Sequence, residues 1–94
     1  MASRHLTPRE KALIATRAPI KERLAAAFEG KRELTYWEVA NAVFPQEEYP
    51  RSWQRPSQGG PPGCYMTLTR ALKRYGYVID ENAAGWRVVR RARA

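Results

Sequence analysis

Apolar residues recur at intervals of three and four in three stretches of the chain, and short β-prone runs follow only after the last of them. Ile20, Leu24, Ala27 and Phe28 form the first stripe, and Gly30 closes it. Tyr36, Val39, Ala40, Val43 and Phe44 form the second, which stops at Pro45. Cys64, Leu68, Ala71, Leu72 and Tyr75 form the third, ended by Gly76. Each spacing predicts a helix with one buried face. Tyr77-Val78-Ile79 and Trp86-Arg87-Val88-Val89-Arg90-Arg91 then flank a polar loop with Asn82 and Gly85, which predicts a hairpin.

Local signals place the ends. Thr7-Pro8-Arg9-Glu10 and Thr35-Tyr36-Trp37-Glu38 both read as capping boxes. In such a box the threonine accepts from the backbone three residues on and the glutamate reaches back. The first opens a helix towards Ala18 that breaks at Pro19, where an N–H is missing. Leu34 and Val39 can staple the second. Lys31 to Leu34 has room for one short bridging strand. The expected organisation is a helical extension over residues 1–18, a domain over 19–91 with a long loop at 45–62, and a frayed tail at 92–94.

That loop spans 18 residues with five prolines, two glycines, Tyr49 and Trp53. Its length is unusual for a compact domain without regular structure. One reading has Tyr49 and Trp53 closing over the core; another has Arg51 and Arg55 presented to phosphates from a stiff support. Gly59-Gly60-Pro61-Pro62-Gly63 lacks the GxxxxGK[ST] pattern of a nucleotide-phosphate loop and reads as turn chemistry leading into a helix.

Charge changes the picture more than size does. Among 94 residues the net charge is +8, yet residues 1–50 hold eight Lys/Arg against seven Asp/Glu, and residues 51–94 hold nine against two. A field gathered in one half suits a phosphate polymer, although a solvated basic face is the plainer alternative. The third helix carries Met66, Thr69, Arg70 and Lys73 opposite its apolar stripe, with Arg74 on the flank. Catalysis is not expected. His5 is the only histidine and Cys64 the only cysteine, too few ligands for a zinc site. Cys64 falls on an apolar face, where it reads as a small buried hydrophobe. Neither a cofactor, a metal nor a small-molecule substrate is expected. No apolar run approaches the ~20 residues that cross a bilayer, and no signal-peptide pattern opens the chain. The expected location is therefore the cytoplasm, or the nucleoid for a bacterial or phage protein.

Leu34-Thr-Tyr-Trp-Glu-Val-Ala40 is similar to the entry of helix two in the O6-alkylguanine-DNA alkyltransferases, whose DNA-binding half is also helix-turn-helix. That family's reactive Pro-Cys-His-Arg is absent, so the likeness of about seven residues implies local architecture and not alkyl transfer. Over Ile20 to Arg91 the element order resembles the winged helix-turn-helix family. The resemblance implies a mainly α fold with a small β-hairpin (α+β): three core helices, the N-terminal extension and a wing sheet of two or three strands. Ile20–Phe28 and Thr35–Phe44 would be helices one and two, Pro61–Tyr75 the recognition helix and Tyr77–Arg91 the wing. The long 45–62 loop departs from the family's usual tight turn.

The same resemblance implies a function, sequence-selective binding to double-stranded DNA by a small transcriptional regulator or repressor. Tyr65, Met66, Thr69 and Arg70 are then the base-reading candidates, with core packing the alternative for Tyr65. Arg70 is the foremost, since a guanidinium bridging guanine O6 and N7 is worth about 1–3 kcal/mol of discrimination. Lys73, Arg74, Arg87 and Arg90, with Arg51 and Arg55 of the loop, are the phosphate candidates. Alternation around Arg87 predicts Trp86 and Val88 facing inward while charge faces out. The other readings are a protein-interaction module and an RNA-binding accessory protein. Leu13 and Ile14, otherwise unassigned, suggest a homodimer through the first helix.

Overall fold

The computed structural model describes residues 6–85 and 87–92. It is an α+β structure of four α-helices and a three-stranded antiparallel sheet. The order is α1 (Pro8–Ala15), α2 (Ile20–Ala27), β1 (Glu33–Thr35), α3 (Tyr36–Val43), α4 (Cys64–Arg74), β2 (Tyr77–Glu81) and β3 (Arg87–Arg91), with a 3-10 turn at Pro50–Trp53. The strand last in sequence lies in the middle of the sheet, β1-β3-β2. Leu34 and Ile79 both pair with Val89. No helix among the described residues is long and apolar enough to cross a membrane.

Both capping boxes form. Thr7 Oγ1 accepts from Glu10 N at 3.2 Å and Glu10 Oε1 from Thr7 N at 2.9 Å, and Thr35 and Glu38 repeat the pair at the same distances. Each closes two backbone donors that would otherwise face water at the start of a short helix. The apolar stripes meet in one core of Leu24, Phe28, Leu34, Tyr36, Val39, Val43, Leu68, Leu72 and Val89, all 5% exposed or less. Removing that much apolar surface from water, at about 25 cal/mol per Å2, is the main force holding such short helices together.

The break before Pro19 takes a specific form. Ala18 N donates to Leu13 O at 2.9 Å and Arg17 N to Ile14 O at 3.1 Å, while Arg17 adopts φ +56°. This double closure of a helix end ordinarily uses glycine at the left-handed position, and a side chain there costs about 1–2 kcal/mol. Helix α1 then lies on α2. Ile14 is buried in its own chain and Leu13 half-buried, so the pair that suggested a second subunit is largely engaged within one. An exposed Arg9–Glu29 ion pair of 3.0 Å adds little to that contact.

The 45–62 loop is pinned where α3 ends. Trp53 Nε1 donates to the Phe44 carbonyl at 2.6 Å, and the Trp53 ring lies 5.8 Å from that of Trp37. Arg23, only 6% exposed, donates from Nη1 to the Val43 carbonyl at 2.8 Å. Two carbonyls that the helix leaves unpaired are thus met from outside, one by a cation placed at the negative end of the helix dipole.

Three expectations need correction. The third apolar stripe begins its helix at Cys64 rather than Pro61, because the residue before a proline is pushed out of the α region and Pro61 precedes Pro62. Tyr75 belongs to the cap of that helix and is 37% exposed, not buried, since the chain leaves the helix before its side chain reaches the core. The faces of β3 are the reverse of those expected. Val89 joins the core, so Arg87, two residues away, shares the side turned towards the helices, and Val88 shares the other side with Arg90. Val88 and Val89 are both buried, as a central strand allows. Trp86, His5 and the last two residues of the expected tail lie outside the described residues.

Candidate nucleic-acid interface

Helix α4 buries Cys64, Leu68, Ala71 and Leu72 along one stripe and is anchored by them. Burial raises the Cys64 thiol above its ordinary pKa, so the thiol stays protonated and acts as packing. A rotation of 100° per residue puts Met66, Arg70 and Lys73 on the ridge diametrically opposite. All three are exposed, Met66 by 54%. Arg74 and Thr67 flank the ridge on the side of α2, and Tyr65 and Thr69 flank it on the side of the hairpin.

Each flank borders a groove. On the α2 side, Ile20, Thr67, Arg70, Ala71, Arg74 and Tyr75 line a hollow of about 440 Å3. On the hairpin side, Tyr65, Thr69, Lys73, Ile79 and Arg87 line one of about 420 Å3, together with the carboxylates Asp80 and Glu81. Among the described residues Arg70, Lys73 and Arg74 make no hydrogen bond or ion pair. No carboxylate among the described residues neutralises them. Arg51 and Arg55 are likewise exposed and unpaired, on backbone held by the Trp53 contact.

The remaining expected site residues are engaged. Tyr36 is the hub. Its ring is 1% exposed, and its hydroxyl lies 2.9 Å from the Tyr65 carbonyl and 2.8 Å from Thr69 Oγ1. Burial pushes the Tyr36 phenol up to about 12, against the pull of its bond to Thr69. Tyr65 stacks at 5.3 Å from Tyr36, and its hydroxyl accepts from Arg87 Nη1. The Arg87 guanidinium lies 5.4 Å from the Tyr65 ring centroid and 5.8 Å from that of Tyr36. Arg87 therefore couples the hairpin to α4 while remaining exposed.

Arg90 differs from Arg87 in both face and company. Its guanidinium is 2.7 Å from Asp80 and 3.3 Å from Glu33, so two carboxylates from the neighbouring strands already neutralise it. As a phosphate contact it is poorly placed compared with the α4 cations. Tyr36 and Arg23 were not anticipated as polar organisers. For Tyr36 a signal existed, because a buried phenol needs a partner for its O–H. For Arg23 none did. No three histidine, cysteine, aspartate or glutamate residues among those described cluster closely enough to hold a metal ion.

No protein-family model matches the chain, and neither a curated protein nor a solved structure is significantly similar to it.

Proposed function

We propose that the chain is a winged helix-turn-helix domain that binds double-stranded DNA sequence-selectively, in the manner of a small transcriptional regulator or repressor. The observation that carries this reading is the outward side of α4, where Arg70, Lys73 and Arg74 have no polar partner among the described residues and stand above an anchored apolar stripe. A helix about 10–12 Å across fits the major groove of B-form DNA, and unpaired cations there meet phosphates and guanine edges. The order α2-β1-α3-α4-β2-β3 with the sheet arranged β1-β3-β2 supports the family layout.

In this reading α4 enters the groove, Lys73 and Arg74 meet phosphates on its two sides, and Arg87 adds a third contact beside it. Arg51 and Arg55 extend the positive surface from the pinned loop. Arg90 serves the sheet instead.

The test is binding to random duplexes followed by fluorescence anisotropy across a salt series. Log affinity should fall linearly with log salt, at about −0.9 per phosphate neutralised, giving a slope of roughly −3 to −5 for three to five contacts. Reversing Arg70, Lys73 and Arg74 to glutamate should abolish binding while leaving the domain folded, at a cost of about 1–2 kcal/mol because Lys73 and Arg74 occupy the last turn of α4. Absence of duplex binding at low salt, or a charge-reversed variant that binds as well as the original, would refute the proposal. Single-stranded RNA should compete poorly, since stacking on single strands needs aromatic faces that this fold mostly buries.

A further inference from the structure

The four expected base readers on α4 are not equally available. Tyr36 has one hydroxyl proton, and the Tyr65 carbonyl can only accept, so that proton goes to the carbonyl. Thr69 must then donate its own proton to the Tyr36 oxygen. The Tyr65 hydroxyl, for its part, is held by Arg87. Two of the four side chains therefore already have polar partners within the fold. Met66 and Arg70 remain, one turn apart on the exposed ridge.

Met66 is the unusual member of this pair. It is one of three large apolar residues exposed among those described, and the other two lie elsewhere, Tyr75 at the helix end and Val78 on β2. Its ridge is otherwise cationic, with Arg70 four residues on and Lys73 seven. A flexible thioether held out among cations gains nothing from water, but it matches the apolar feature of the major groove, the C5-methyl group of a pyrimidine. Thymine carries that methyl, and so does 5-methylcytosine.

Resting on the duplex-binding reading above, we infer that Met66 is a methyl reader: it contacts the C5-methyl of a pyrimidine within about two base steps of a guanine held by Arg70. The spacing follows from geometry. Four residues of helix rise about 6 Å, a little under two base-pair steps of about 3.4 Å.

The experiment starts from the duplex that the unaltered protein selects from a random pool. Each thymine is replaced in turn by deoxyuridine, which removes only the methyl, and each cytosine by 5-methylcytosine, which adds it. At one position, within two base pairs of the guanine whose preference Arg70→Ala abolishes, loss of the thymine methyl should weaken binding about fourfold. That is the transfer worth of one such group. If the position holds cytosine, its methylation should strengthen binding by a similar factor and assign the contact to 5-methylcytosine. Met66→Ala, at an exposed position, should fold normally and bind both members of the pair alike, while Met66→Leu should keep the distinction. The inference fails if neither substitution matters anywhere in a duplex the protein binds, or if Met66→Ala still discriminates. Failure of the unaltered protein to bind any duplex would remove the functional reading along with it.

Discussion

Arg23 and Arg70 are the same residue type on two helices of one fold, yet only Arg23 has polar partners among the described residues. Arg23 lies under the 45–62 loop, donating to the end of α3 and standing 5.4 Å from the Tyr49 ring centroid. Arg17 covers the same ring at 5.1 Å. On α4, Arg70 and its neighbours Lys73 and Arg74 meet only solvent among the described residues. A cation that caps a helix and stacks on a ring is part of the architecture. One left unpaired over an anchored face remains free for a polyanion. Net charge alone cannot tell these apart; the neighbours can.

The two sides also treat their tyrosines in opposite ways. Burial tends to raise the Tyr49 phenol, but hydrogen bonds and charge from Arg23 and Arg17 outweigh it and leave the group below its ordinary value. Tyr36, under α4, has only Thr69 and a distant Arg87 against its burial, and goes up. A phenol thus reports how far the nearby guanidinium groups are committed to the fold.

Breaking the committed side should have the largest effect. Arg23→Ala removes the donor to Val43 and opens a space under Tyr49. It should cost about 2–3 kcal/mol in urea denaturation, with duplex affinity unchanged wherever the variant is folded. If Arg23→Ala melted normally but lost DNA, the division between the two sides would collapse. Next in size, Arg74→Ala should leave stability within about 0.5 kcal/mol but weaken every duplex alike and flatten the salt slope by about one unit.

Alkaline titration sharpens the contrast. The phenol absorbance of Tyr49→Phe should lack a component that ionises below 10, and that of Tyr36→Phe one near 12. The signs differ as well. Tyr36, raised in the fold, contributes stability below its unfolded value near 10 that is lost as pH climbs towards 12. Tyr49, lowered, contributes stability above the unfolded value that is lost as pH falls through its folded one. Tyr36→Phe should therefore flatten the loss of stability between pH 10 and 12. The smallest effect belongs to Arg90→Ala, an exposed pair of ion bridges worth under about 1 kcal/mol, with no change in salt slope.

Much of the scaffold was legible because it is locally encoded. Thr7 and Thr35 announce their helices three residues ahead, and Cys64, Leu68, Ala71 and Leu72 mark the buried side of α4 by spacing alone. What was not legible depends on pairing across the chain. Arg90 looked free until the sheet order brought Glu33 beside it. The facing of β3 could not be read from Val88-Val89, because a strand with both neighbours present can bury residues on either side. Arg23 sits one position from Leu24, and whether such an arginine is solvated or caps a distant helix depends on where that helix ends.

The central place of β3 has a consequence for synthesis. Strands β1 and β2 share no partner but β3, and Glu33 leaves the ribosome more than fifty residues before Arg87. Until then β1 has an unpaired edge and Arg90 has not arrived to neutralise Glu33 and Asp80. The helices can cluster first, since their contacts are closer in sequence, but the sheet closes in one late step. A chain truncated before Arg87 would therefore leave both β1 and β2 without a pairing strand, and their bare edges would be open to pairing with another chain.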